Sequence, residues 1–214
     1  MFILNKENSI ANNFIAELRD EVVQRNPALF RNNLFQIGSM MAYEISKTLS
    51  YTPKEIRTPL AKTTIPICSS KIVLVTILRA GLPFYDGFLR LFPDAESAFI
   101  GASRVEKEGE DLDVDMGYLA SPSLEDKEVI ICDPMLATGK SLLKAIDGLT
   151  KFGKPKTIHF ASIFAAPEGI EIIEKNLQQP HKFWVGSLET GLNDKFYIIP
   201  GLGDAGDLAF GPKI

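Results

Sequence analysis

Ile72-Val73-Leu74-Val75-Thr76-Ile77-Leu78-Arg79-Ala80-Gly81 decides the fold. Its first seven residues are apolar apart from Thr76, mostly β-branched, and show no alternation with polar residues. A strand with one wet face alternates, whereas a strand covered on both faces of a parallel sheet reads as a continuous apolar run. The same kind of run recurs at Ala98-Phe99-Ile100, Val129–Cys132, Ile158–Phe164 and Phe183–Val185. Helical patterns over Leu82–Leu91, Ser141–Phe152 and Pro167–Leu177 lie between them. Strand alternating with helix implies right-handed crossovers and an α/β fold on a parallel sheet.

Upstream of this core, Ile10, Phe14, Leu18 and Val22 recur every four residues behind Ser9, which predicts an amphipathic helix over Ser9–Arg25. Asn26-Pro27 restarts a helix with Asn as cap and Pro at the first helical position; its stripe is Leu29, Leu34, Ile37, Met41, Ile45 and Leu49. Ile65, Ile67 and Cys68 alternate with polar residues, and Pro66 marks that piece as an edge strand. Arg104 to Asp115 is strongly hydrophilic and reads as a solvated loop or a mobile lid.

Composition narrows the class. The 214 residues are 45% hydrophobic, which suits one domain with a sizeable core. No apolar stretch approaches the ~20 residues of a membrane span, and Met1–Asn8 lacks the apolar core of a signal peptide. The net charge of −4 speaks against a nucleic-acid partner. Cys68 and Cys132 sit beside strand-like runs and read as free thiols in a reducing, cytoplasmic setting. Two Cys and two His form no cluster with zinc-ligand spacing. His159, within an apolar run, reads as a core histidine.

In open α/β sheets ligands bind beyond the carboxyl ends of the strands, so the residues after each run carry the chemistry. Asp133-Pro134-Met135-Leu136-Ala137-Thr138-Gly139-Lys140-Ser141 follows one run and opens a helix. An acid at a strand tip suits ribose hydroxyls, and small hydroxylated residues at a helix N-terminus suit a phosphate. Arg79 and Arg104 follow two further runs, and guanidinium forks bind phosphate oxygens in pairs. Gly139-Lys140-Ser141 is not a P-loop, since Pro134 stands where that motif needs its first Gly. Gly201-Leu202-Gly203-Asp204-Ala205-Gly206 matches a dinucleotide fingerprint in form, but only eight residues follow it.

Three segments together carry a resemblance: Ile77–Gly81, Asp133–Ser141, and Tyr197-Ile198-Ile199-Pro200-Gly201-Leu202-Gly203-Asp204-Ala205-Gly206-Asp207. They resemble the signature segments of the uracil phosphoribosyltransferases, in the same order, within a similarity spanning residues 15–211. The resemblance implies a five-stranded parallel sheet flanked by helices, the type I phosphoribosyltransferase fold, with a small C-terminal hood. It implies one domain, with N-terminal helices over 1–60, core sheet and helices over 61–180, and hood with base-binding tail over 181–214. It further implies that PRPP is held by Arg79, Arg104, Asp133, Pro134, Met135, Leu136, Ala137, Thr138, Gly139, Lys140, Ser141 and Asp204. It implies too that uracil is read by Ile198, Gly203, Asp204 and Ala205, and that catalysis falls to Asp204, Arg79 and Arg104. Mg²⁺ arrives with PRPP rather than on a protein metal site, the product is UMP in pyrimidine salvage, the assembly is a homodimer, and there is room for a GTP effector.

The chain departs from the family at Lys140, where a second Gly is usual; a positive φ there would cost about 1 kcal/mol. After Asp207 a basic residue is usual, and here Leu208 and Ala209 follow. Two rivals stand beside the leading reading. One is a nucleotide-sensing regulator on the same fold, which a basic RNA-binding face would favour. The other is a transferase for another base; orotate would want a cation near the tail. Turnover of a panel of bases separates all three.

Overall fold

The computed structural model describes residues 1–105 and 113–213, with side chains described over 1–101 and 117–213. In chain order the elements are β1 (Phe2–Ile3), α1 (Ala11–Arg19), α2 (Pro27–Ser46), β2 (Tyr51–Arg57), β3 (Lys62–Cys68), β4 (Ile72–Leu78), α3 (Gly81–Leu91), β5 (Glu96–Val105), β6 (Asp113–Ala120), β7 (Glu128–Cys132), β8 (Met135–Leu136), α4 (Lys140–Leu149), β9 (Thr157–Ala165), α5 (Pro167–Asn176), β10 (His181–Leu188), β11 (Gly191–Leu192), β12 (Ile198–Ile199) and α6 (Ala205–Phe210).

The main sheet runs β1-β10-β9-β7-β4-β5-β6, and β8 pairs with the end of β9. The five runs picked out by sequence are its parallel centre, β10-β9-β7-β4-β5. Eight strands rather than five form the sheet among the described residues. β1 and β8 have two residues each, too few to leave a pattern. β6 is an antiparallel edge strand drawn from the hydrophilic stretch, so β5 and β6 take Arg104, Val105 and Asp113–Asp115 out of the expected loop. Residues 106–112 of that lid expectation lie outside the described residues, as do all its side chains.

β4 shows why a doubly covered strand has no polar face. Ile72 and Leu74 belong to one core with Phe30, Ile37, Met41 and Phe84. Val73, Val75 and Ile77 belong to the other, with Leu142, Ile146 and Ile173. Helices α2 and α3 thus cover one face, and α4 and α5 the other. Full burial of each such side chain contributes ~1.5–3 kcal/mol.

Asn26 caps α2 as expected, its side chain accepting from the N–H groups of Ala28 and Leu29 ahead of a buried stripe containing Leu34, Ile37, Met41 and Ile45. The first helix is shorter and turned differently from the expectation. It ends at Arg19, and its buried residues are Ala11, Ile15 and Leu18, while Ile10 and Val22 are exposed. A strict spacing of four drifts ~40° per step around a 3.6-residue turn, so its ends leave the buried face. Asp20 then accepts from the N–H groups of Val22 and Val23, which competes with helix continuation. The Pro66 piece is not an edge of the main sheet. It is half of a separate antiparallel hairpin, β2–β3, in which Pro53 faces Pro66 and nearly every residue is exposed.

Candidate active site

β4 and β7 are neighbours, and the chain proceeds from them in opposite directions, to β5 on one side and β9 on the other. Such a switch point leaves a crevice beyond the strand tips. Arg79 follows β4 and Asp133 follows β7. A solvent-open cleft with about 1310 Å³ of empty space lies there. Its walls are Ile77–Ala80, Asp133, Met135–Leu142, Phe196–Ile198, Gly203–Gly206 and Lys213.

The turn into α4 is built for close approach. Gly139 has φ +74°, and a Cβ there would stand 2.6 Å from the Gly169 carbonyl oxygen. It is the N-cap of α4 and brings no capping side chain, so the positive end of the helix opens on the cleft. The Thr138 hydroxyl accepts from the Lys140 N–H at 3.4 Å. Lys140 is the first helical residue and has no positive φ; Gly139 absorbs the left-handed conformation, so the strain considered for Lys140 is absent. Asp133 Oδ1 accepts from the Met135 N–H at 3.3 Å, which fixes its carboxylate at the strand tip. Beneath it, burial and the Asp133 charge push the Cys132 thiol well up, so that thiol stays protonated and offers no nucleophile.

Arg79 is tied to the C-terminal tail. Its Nη2 donates to Asp207 Oδ1 at 2.8 Å and its Nη1 to the Gly211 carbonyl at 3.2 Å. Its Nε is buried without a partner. Asp204 caps α6, accepting from the Asp207 N–H at 3.0 Å. The β11–β12 hairpin reaches the cleft through Phe196–Ile198, and its tip is held by Asn193 Oδ1, which accepts from the Lys195 and Tyr197 N–H groups. Just before this hairpin, burial alone would raise the Glu189 carboxyl. Hydrogen bonds from Arg19, Ser187 and the Gly201 N–H outweigh that and hold it below the usual range. His159 is a core residue, as its sequence setting implied. Trp184 Nε1 donates to its Nδ1 at 3.1 Å, which leaves the proton on Nε2, 3.2 Å from Glu128 Oε2.

The structure therefore brings Arg79, Asp133, Met135–Ser141, Ile198 and Gly203–Ala205 to one cleft. Pro134 is the exception: it is buried, and its carbonyl accepts from the Ile163 and Phe164 N–H groups, at 3.0 Å each, away from the cleft. The Arg104 backbone lies in β5 opposite Val114, and its side chain is outside the described residues. Phe196, Tyr197 and Lys213 also line the cleft and were not among the residues chosen from sequence. Aromatics directly before Ile198 were a usable signal for the first two; nothing local marks Lys213.

Residues 5–212 match the sequence model of the family described as uracil phosphoribosyltransferase. The chain belongs to the uracil phosphoribosyltransferase family. It is 42% identical over 211 residues to the uracil phosphoribosyltransferase of Porphyromonas gingivalis, covering 99% of this chain and 98% of that one. It is 39% identical over 203 residues to the uracil phosphoribosyltransferase of Thermococcus kodakarensis, covering 94% of this chain and 86% of that one. Among solved structures, the AQ2163 protein from Aquifex aeolicus superposes with a TM-score of 0.86 at 34% identity, covering 99% of this chain and 98% of that one. Membership makes the chain a pentosyltransferase. Among the described residues no helix is long and apolar enough to cross a membrane.

Proposed function

We propose that the cleft binds PRPP across the strand tips and uracil under the hood, and converts them to UMP and diphosphate in pyrimidine salvage. One observation carries the reading: a strand-tip arginine with an orphaned buried Nε, an open helix N-terminus and a glycine-rich backbone loop share one cleft. The orphaned Nε wants an acceptor, and a diphosphate oxygen is one.

In this reading the α4 N-terminus and Thr138–Ser141 hold the 5′-phosphate, and Asp133 grips a ribose hydroxyl. Arg79 faces the departing diphosphate and stabilises the charge it gains, the role the family resemblance also gives to Arg104. Uracil N1 bonds to ribose C1′ as the C1′–O bond to diphosphate breaks, and the N1 proton passes to solvent. The ribose is cationic in passing, and the Asp204 carboxylate stabilises it. Uracil shows an acceptor–donor–acceptor edge, which the backbone of Ile198 and Gly203–Ala205 can match. Cytosine puts an amino group where uracil has O4, opposing donor to donor, and such a mispaired edge is rejected strongly.

Two carboxylates, Asp133 and Asp204, stand on the cleft, and no group of three metal-ligating side chains is present among the described residues. That donor set fits Mg²⁺, which takes one or two carboxylates and completes its shell with phosphate oxygens and water. When bound, it would neutralise diphosphate charge.

The assembly is proposed to be a homodimer. The β2–β3 arm exposes Tyr51, Ile65 and Ile67 and extends outside the main sheet. A cytoplasmic location accords with free Cys68 and Cys132. The test is incubation with PRPP, Mg²⁺ and a panel of bases. UMP from uracil alone is expected, and equal rates with cytosine or a purine overturn the assignment. GTP added to the same assay tests for an effector. Light scattering at micromolar concentration is expected to give twice the chain mass.

A further inference from the structure

Glu189 stands where three stretches of backbone meet. Its own N–H donates to the Ala165 carbonyl at 2.8 Å, and its side chain is 1% exposed. Oε2 accepts from the Gly201 N–H at 3.1 Å and from Arg19 Nη1 at 2.8 Å. Oε1 accepts from Arg19 Nη2 at 2.5 Å. Arg19 is itself held: Nη2 also donates to Ser187 Oγ at 2.9 Å, and the guanidinium lies 4.5 Å from the centre of the Phe164 ring. Next to Glu189, Thr190 donates twice to the Ile199 carbonyl, from its N–H at 3.0 Å and its hydroxyl at 2.7 Å. In the amide orientation that satisfies both its ends, Gln24 donates to the Leu202 carbonyl at 3.1 Å and the Leu18 carbonyl at 2.8 Å.

Ile199, Gly201 and Leu202 are thus gripped from behind, by the tip of β10 and by the N-terminal segment. Arg19, Gln24 and Glu189 lie off the cleft wall. Stability alone is a weak account of this arrangement, because a buried ion pair is often no better than apolar residues of the same volume. A bidentate pair does fix geometry. The loop it fixes runs directly into Gly203-Asp204-Ala205. A side chain reading a base can adjust by rotamer. A backbone N–H can be aimed only by placing the whole loop.

We propose that Glu189, clamped by Arg19 and assisted by Gln24, is the positioning residue of the base-reading loop and sets the affinity for uracil. The proposal rests on the uracil reading above. Glu189→Gln weakens the clamp while keeping an acceptor for Gly201, and Glu189→Leu removes it. Gln24→Ala leaves the ion pair intact and so reports even where Glu189→Leu does not fold.

Glu189→Gln is expected to raise the KM for uracil roughly tenfold, the scale of one weakened hydrogen bond, with the KM for PRPP within about twofold of wild type. Gln24→Ala should move the KM for uracil in the same direction, about threefold. Amide exchange over residues 198–205 should quicken in both. A purely structural role would lower the melting temperature yet leave the KM for uracil and that exchange unchanged in both variants, and this result overturns the proposal. Wild-type protein that leaves uracil untouched defeats the functional reading instead. The exchange comparison then still decides the positioning role: faster exchange in the variants upholds it, and unchanged exchange overturns it.

Discussion

Arg79 Nη2 lies 2.8 Å from Asp207 Oδ1, which ties the cation at the tip of β4 to the first turn of α6. The segment said to face diphosphate and the segment said to read the base are therefore in direct contact. The pair is more than a third exposed on both sides, so water screens it. An ion pair of this kind is worth ~0–1 kcal/mol.

Asp207→Asn should accordingly cost less than about 1 kcal/mol of stability in a denaturant titration. Arg79→Ala should raise the KM for PRPP roughly ten- to a hundredfold, from ~1.5–3 kcal/mol for a charge-assisted contact. Arg79→Lys keeps the charge and loses the fork, and it should recover only part of the loss. An unchanged KM for PRPP in Arg79→Ala would remove Arg79 from the substrate site.

Asp133 and Asp204 should separate in steady-state kinetics. In the proposed reading Asp133 holds the ribose in both ground and transition states, so Asp133→Asn should chiefly raise the KM for PRPP. Asp204 has two candidate jobs, since its carboxylate also caps α6. Asparagine caps as well as aspartate, whereas alanine costs about 1 kcal/mol. Asp204→Asn should therefore keep the melting temperature and lower kcat by roughly ten- to a hundredfold. Normal kcat in Asp204→Asn, with stability lost only in Asp204→Ala, would reduce Asp204 to a cap.

Gly139 and Lys140 should respond differently to substitution, because only Gly139 holds the left-handed conformation. Gly139→Ala places a Cβ against the Gly169 carbonyl at a positive φ. The left-handed conformation costs ~1–2 kcal/mol and overpacking ~1–3 kcal/mol, so a loss of at least about 2 kcal/mol is expected by thermal or denaturant melting. Lys140→Gly relieves no strain and should not stabilise the protein. A rise in melting temperature for Lys140→Gly would show that Lys140 is strained after all.

Acid should weaken the fold in two stages. Burial lowers the His159 pKa, against the opposing pull of Glu128. Its neutral form thus contributes stability that is complete above the unfolded value of about 6.5 and declines as pH falls below it. For Glu128 burial acts upward, but Lys156 and His159 outweigh it and bring the carboxyl below its ordinary value. Glu189 is lowered in the same net sense by Arg19. The stability from both carboxylates is present above their unfolded value and is lost as pH falls through their lower folded values. Melting temperature measured from pH 8 to pH 3 should be flat at first, sag below about pH 6.5, then fall steeply in the carboxylate range. His159→Gln should flatten the first stage and soften the Glu128 part of the second, leaving the part due to Glu189.

Much of the parallel centre was legible in the chain, because a strand covered on both faces must be apolar at every position. Ile72–Leu78 and Val129–Cys132 could hardly be read otherwise. The Asn26-Pro27 start of α2 was equally plain, since capping is local chemistry. Asp133–Ser141 stood out because small, hydroxylated residues at a helix N-terminus suit a phosphate, whereas Gly203–Ala205 entered only through the family resemblance; both segments line the cleft.

Tertiary structure alone decided the rest. The edge strands β1 and β8 borrow their conformation from β10 and β9 and hold no pattern of their own. Pro134 sits inside the Asp133–Ser141 segment yet faces β9, because the Ile163 and Phe164 N–H groups take its carbonyl. Gly139 rather than Lys140 takes the left-handed conformation because the turn packs on Gly169 of α5, thirty residues along the chain. Arg19, Gln24 and Glu189 meet around Gly201 from distant parts of the sequence. Spacing within one segment reports what that segment does with its own backbone. Which side chains meet across the sheet depends on how the helices close over it, and no local pattern records that.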